Sequence, residues 1–221
     1  MKGLTLGISE DQRDLGEFIH RFLKAERKVN RVMEKAYSTL AFINRGLDCK
    51  NRGYRMELYR ALVRPQMEYF VQFWSPHYRK DVNALQGVQR RFTRMLPGME
   101  NLIYEERLDR LGLFSLEHRR LSGGLTDVIK IMRGMDRMNK EQLPPLVEGS
   151  VTRGHKLKVE GGRFRGDLRK NVFTQRMVTV RNVLPGKVVE EGCLLSFRKY
   201  LDEYLAHHNI QCCGPSAGKW D

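Results

Sequence analysis

Phe22, Ala25, Val29, Val32, Ala36, Leu40 and Ile43 recur at intervals of three and four. That spacing puts all of them on one stripe of an α-helix and on no single face of a strand. Lys24, Arg27, Lys28, Arg31 and Lys35 take much of the remaining surface, so the stripe must be buried against other parts of the chain. A helix is expected over about residues 18 to 45, stopped by Gly46. Shorter pieces repeat the pattern. Residues 52 to 63 offer Leu58, Leu62 and Val63 and are expected to break at Pro65. "PQMEYFVQFWSP" reads as one compact helix. Residues 79 to 95 carry Val82, Leu85, Val88, Phe92 and Met95 and end at Pro97 and Gly98. "YEERLDRLGL" closes at Gly112, and Ser115 caps a helix over 116 to 134 whose Leu116, Leu121, Leu125, Val128, Ile129 and Met132 face inward. Gly123 and Gly124 sit in its middle, each costing about 1 kcal/mol against Ala, which predicts a kink or a weak helix.

Elsewhere the pattern changes. Residues 1 to 16 are short and polar, and "LTLG" has no strand partner nearby, so a truncated or disordered arm is expected. "KEQLPPLVEGS" marks a linker within 136 to 150. Residues 151 to 181 hold nine Lys or Arg, two acids and four glycines, with stretches of alternation that predict loops and short β-structure. A terminal helix over 196 to 207 carries Phe197, Leu201, Tyr204 and Leu205, closing a module of 151 to 206. The tail from 207 to 221 is expected to be flexible. The expected fold is therefore mostly α: a helical bundle over 17 to 135, then a basic, irregular or α+β module.

Charge narrows the function. Forty Lys and Arg against twenty-six Asp and Glu give +14, a field that attracts polyanions, nucleic acid above all. No apolar run approaches the roughly 20 residues that span a bilayer. "MKGLTLGI" lacks a signal-peptide core, and Cys49, Cys193, Cys212 and Cys213 are scattered without metal-ligand spacing, so an intracellular setting and no metal are expected. Glu105, Glu106 and Asp109, like Asp202 and Glu203, read as solvated charges of amphipathic helices rather than a two-metal carboxylate cluster. No two histidines share a ligand face, Cys193 has no evident base, and no nucleophile elbow occurs. No cofactor is expected.

Two groups of residues are candidates for phosphate contact. Arg90, Arg91 and Arg94 span one broad face of their helix, which serves phosphates or is simply solvated. Lys156, Lys158, Arg163, Arg165, Arg169 and Lys170 lie in the glycine-rich basic stretch, where Phe164 is placed to stack on a base. In "LVRPQMEYFVQFWSPHYRKDV", Glu68 and Gln72 are expected to face water, while Phe70, Phe73 and Trp74 share a core face with Trp74 as anchor. Tyr78, beyond Pro76, is expected to be more exposed and is a second candidate for stacking.

"LYRALVRPQMEYFVQFWSPHYRKDVNALQGVQRRFTRMLPGMENLIYEERLDRLGLFSLEHRR" closely resembles the segment downstream of the palm in non-LTR, LINE-like reverse transcriptases of the chicken-repeat type. "DLG" at 14 to 16, "TRGHKLKVEGGRFRGDLRKNVFTQR" and "NVLPGKVVE" extend the resemblance over nearly all of residues 12 to 206. It implies a helical thumb, which follows a template–primer duplex, and a basic tail that helps bind RNA or DNA. The catalytic aspartates of that family and its endonuclease have no counterpart here, so no polymerase reaction carries over. Three sites depart from the family pattern: Gly87 replaces a charged residue, Ser122 and Gly124 interrupt "RLRGDL", and Arg181 stands where the family has Trp. A buried Arg181 is expected to cost several kcal/mol unless it finds a partner. The expected function is non-catalytic binding to RNA or DNA backbone. The alternatives are a helical module that binds a protein partner on the face a palm would cover, or a translated relic without molecular function. No membrane partner is expected.

Overall fold

The computed structural model describes residues 11–14, 17–20, 25–46, 51–136, 143–147, 155, 157–162 and 171–208. A two-stranded antiparallel hairpin, β1 (Asp11–Asp14) and β2 (Glu17–His20), pairs Asp11 with His20 and Asp14 with Glu17. The expected first helix therefore starts later, as α1 (Glu26–Gly46), and part of the expected arm pairs with the chain that follows it. α1 buries Val29, Val32, Ala36, Leu40 and Ile43, the apolar stripe that the spacing marks.

Pro65 does not break the next helix. α2 (Arg52–Leu58) runs into a π-helical turn (Tyr59–Val63) and then α3 (Arg64–Glu68), with Pro65 in the first turn of α3. A proline ring collides with the carbonyl four residues earlier and offers no N–H. Widening the preceding turn separates those groups, so the helix continues. The actual break comes at Tyr69 and Phe70. Tyr69 is extended, Phe70 is left-handed at φ 52°, and a short α4 (Val71–Trp74) follows. α5 (Arg79–Arg94), α6 (Tyr104–Leu111) and α7 (Leu116–Met132) complete this part. Gly112 ends α6 in the left-handed region at φ 58°, and Ser115 Oγ accepts the N–H of His118 at 3.2 Å.

α1 and α5 run parallel, side by side. Glu26 and Lys80 pair at their N-terminal ends at 2.6 Å. The Arg91 guanidinium lies over the Tyr37 ring at 5.4 Å, equally far along each helix. Gly87 sits at this seam, where an added Cβ would meet Tyr37 Oη at 3.3 Å. α1 passes α3 and α4 in the opposite sense: Gln66 Nε2 donates to Thr39 Oγ1 at 3.1 Å, and Lys28 lies over the Trp74 ring at 5.8 Å. The enclosed core includes Tyr59, stacked on Phe92 at 4.1 Å, with Met67, Leu85, Val88 and Leu96.

The C-terminal region corrects the expected irregular or α+β module. Its described residues are chiefly helical: α8 (Phe173–Val183), α9 (Gly186–Val189) and α10 (Leu194–His207). Its β-structure among the described residues is one isolated bridge, Leu146 to Val159. The alternating "VTVRNV" looks strand-like because Val and Thr favour strands, yet burial overrides that preference. Met177 and Leu184 join Leu121, Leu125, Val128, Ile129, Phe197, Leu201 and Leu205 in a second core. α7 thus serves both cores, giving Leu116 to the first and its later apolar residues to the second.

The paired glycines of α7 do not interrupt it: the helix is continuous from Leu116 to Met132. Gly124 is the approach point of α8: an added Cβ would lie 2.6 Å from Met177 Sδ, whereas at Gly123 nothing lies within 4 Å. Gly123→Ala is expected to stabilise the protein by about 1 kcal/mol through helix propensity alone. Gly124→Val is expected to destabilise it by about 1–3 kcal/mol through overpacking. Urea melts of the two variants check this pair.

Candidate nucleic-acid interface

Arg90, Arg91 and Arg94 are exposed near the C-terminal end of α5. The core side of the helix carries Leu85, Val88 and Phe92, which turns these arginines outward. They fan across the outer surface. Arg90 lies over the Tyr104 ring of α6 at 5.0 Å, and Arg91 covers Tyr37 of α1. Arg94, one turn on, falls between them. Among the described residues none of the three makes an ion pair with a carboxylate. Two further guanidiniums close in on the same helix end. Arg55 Nη1 donates to the Met95 carbonyl at 3.3 Å and Arg107 Nη1 to the Arg90 carbonyl at 3.3 Å. Cations here complement the negative end of the α5 dipole, which accounts for some of the clustering. The support beneath them is hydrogen-bonded. Tyr104 Oη donates to Gln89 Oε1 at 3.0 Å, and Gln89 Nε2 donates to the Phe114 carbonyl at 3.0 Å. Burial pushes the Tyr104 phenol up to about 12, against the opposing effect of a hydrogen bond with Gln86.

The other predicted site residues do not join this group. Tyr78 is 60% exposed, as expected, but it precedes α5, about 18 Å along the axis from Arg90 at 1.5 Å per residue. Lys158 is half-buried on the segment held against α8. Its carbonyl accepts from Val147 N at 2.8 Å, and the neighbouring Val159 exchanges two hydrogen bonds with the Asn182 side chain, at 3.0 and 2.7 Å. Lys156, Arg163, Phe164, Arg165, Arg169 and Lys170 lie outside the described residues.

The aromatic stretch divides. Trp74 is buried and its Nε1 donates to the Tyr69 carbonyl at 2.8 Å, as an anchor should. Phe70 and Phe73 are not core residues: they are 47% and 48% exposed, Phe70 because the helix breaks at it and Phe73 because it lies about 100° around α4 from Trp74. Nor do Glu68 and Gln72 simply face water. Glu68 receives Arg119 through Nε at 2.5 Å and Nη2 at 3.1 Å, and Gln72 Nε2 donates to Asp127 Oδ2 at 2.7 Å.

Asp202 is likewise no solvated helix charge. Its Oδ1 accepts from Ser122 Oγ at 2.7 Å and lies 3.1 Å from His118 Nε2, which fastens α10 to α7. Burial would raise this carboxyl, but the hydrogen bonds with His118 and Ser122 outweigh it and hold it below the usual carboxylate range. Ser, His and Asp meet here without the order a nucleophilic triad needs. The serine bonds the aspartate rather than the imidazole, so no base stands at its oxygen. Among the described residues no group of three His, Cys, Asp or Glu side chains is placed to hold a metal ion, and no helix is long and apolar enough to cross a membrane. The Cys193 thiol is exposed; hydrogen bonds from Ser196 and Leu195 at the start of α10 lower it.

Compared with protein-family models, with curated proteins and with solved structures, the chain matches none.

Proposed function

We propose that this protein binds RNA or DNA through the phosphate backbone, without catalysis, in the interior of the cell. The observation that carries the proposal is the fan of Arg90, Arg91 and Arg94 on the outer face of α5, with no carboxylate paired to any of them among the described residues. Guanidiniums of this kind suit phosphate oxygens, because each offers a planar fork of donors and is weakly hydrated. The net charge of +14 adds long-range attraction. The resemblance of residues 12 to 206 to the thumb and tail of LINE-like reverse transcriptases agrees with the same ligand class.

Filter binding of an RNA or DNA duplex across a salt series tests the proposal. The logarithm of affinity is expected to fall linearly with the logarithm of salt concentration. Replacing Arg90, Arg91 and Arg94 together by alanine is expected to reduce the slope by about 2–3, at about 0.9 for each phosphate no longer neutralised. A salt-independent affinity, or a slope unchanged in the triple variant, rejects this interface.

A further inference from the structure

We propose that the Tyr69–Phe70 turn, Phe73 and the adjoining flank of α1 form a second surface, a stacking platform for the unpaired bases of single-stranded nucleic acid. Tyr69, Phe70 and Phe73 are all substantially exposed, and their ring centroids follow one another at 6.1 and 5.7 Å. An unbroken helix through 64 to 74 would put Phe70, Phe73 and Trp74 on one face, facing the core together. The left-handed Phe70 prevents this. It is the one non-glycine residue with positive φ among the described residues, in a conformation that bulky side chains rarely adopt. The Trp74 indole, bonded to the Tyr69 carbonyl, clamps the turn from below. The local backbone is thus strained in a way that leaves one aromatic anchor inside and three rings outside.

Cations border the rings. α1 crosses this region between two fixed points, Thr39 beside Gln66 and Lys28 over Trp74. Arg31 and Lys35 lie between those points, both exposed, on the stretch of α1 that passes α3 and α4. The row ends at a cleft of about 150 Å³ lined by Phe73, Trp74, His77 and Phe173, with Asn171 at its wall. That is well below the roughly 300 Å³ at which drug-sized pockets begin, and suits one planar ring. Rings that accept base faces, beside positive charges that follow a backbone, are the two requirements for binding a single strand without reading its sequence. An apolar protein partner fits less well, because covering the rings would also strip water from the charged side chains that border them.

The platform rests on the polyanion reading for its ligand class but uses none of the α5 arginines, so the two surfaces can be tested apart. Fluorescence anisotropy would compare a labelled oligouridine of about 12 nucleotides, within the site sizes of single-strand binders, with a duplex of equal length. Tyr69→Ala with Phe73→Ala is expected to weaken oligouridine binding by about 25-fold or more, with the salt slope and duplex affinity unchanged, since each of the two base–ring stacks is worth a factor of roughly 5 to 150. Phe70→Gly gives a second readout that misfolding cannot mimic. Glycine accepts the left-handed backbone, so this variant is expected to melt no lower than the parent and yet to lose oligouridine affinity. Oligouridine binding that is untouched in both variants overturns the platform, and is also what a protein-binding face would give. Duplex binding that still depends on Arg90, Arg91 and Arg94 would then leave the first interface standing. Failure of the parent protein to bind either nucleic acid overturns both.

Discussion

Trp74→Ala is expected to destabilise the protein by about 3–5 kcal/mol, the usual cost of deleting a large aromatic side chain from a core. Size is only part of the reason. Trp74 is 5% exposed and belongs to the same core as Met67, Val71 and Leu85, while its ring carries Lys28 on one face. Its Nε1 also satisfies the carbonyl of Tyr69 at the point where α3 gives way to α4. Removing the indole therefore opens a cavity and frees the turn at once. Trp74→Phe separates these contributions. It keeps most of the apolar volume and loses the hydrogen bond, so a smaller loss of about 1–3 kcal/mol is expected, consistent with a polar group left without its partner plus a modest cavity. Chemical denaturation of both variants, read by far-UV circular dichroism, gives the two numbers. Equal stability of the parent and Trp74→Ala would show that this segment does not anchor the bundle.

Trp74 also shows what the sequence makes legible. Periodic apolar residues fix where helices lie, because a stripe has only one way to be buried: α1, α5, α7 and α10 bury most of the residues their spacing marks, with Met95, Met132 and Tyr204 half-buried and Phe22 outside the described residues. Two kinds of feature escape that logic. The first is local backbone choice. Nothing in "RPQMEYFVQF" distinguishes a helix that yields before Pro65 from one that widens there and breaks at Phe70 instead, since the outcome depends on how Trp74 and Tyr59 fill the core. The second is polar contact across elements. Glu68, Gln72 and Asp202 look like solvated helix positions, yet their partners Arg119, Asp127, His118 and Ser122 come from α7, far along the chain. The same limit applies to the candidate interface. The outward fan of Arg90, Arg91 and Arg94 follows from the stripe of α5, but the flanking Arg55 and Arg107 are brought there only by the folded bundle. For α8 the local signal misleads outright: β-branched residues alternate along a segment that helix packing against Gly124 makes α-helical.

Arg181→Met is expected to stabilise the protein by up to about 3 kcal/mol. Arg181 is 2% exposed, in the last turn of α8, beneath the segment around His155 and Leu157. Its Nη1 donates to the Leu157 carbonyl, while its Nε is buried without a hydrogen-bond partner. Burial alone brings the guanidinium down to about 10, and among the described residues no carboxylate offsets it. Each unit of such a displacement corresponds to about 1.4 kcal/mol of preference against the charged form, which sets the upper bound. Methionine fills the space without a charge to desolvate, and replacing buried ions by apolar residues of similar volume commonly gains about 1–4 kcal/mol. Loss of the bond to Leu157 takes part of that gain back, by about 1 kcal/mol. The pH dependence has a definite sign. A cation whose folded value is depressed penalises folding fully below that value, and the penalty is relieved as pH rises above about 10 towards the ordinary guanidinium range. The advantage of Arg181→Met is therefore expected to be constant through neutral pH and to shrink above pH 10, as the parent sheds its buried charge. Paired urea melts at pH 7 and pH 10.5 read this directly. A variant less stable than the parent at pH 7 would mean that the contact with Leu157 outweighs the buried charge, and that Arg181 holds the 155–159 segment onto α8 rather than straining it.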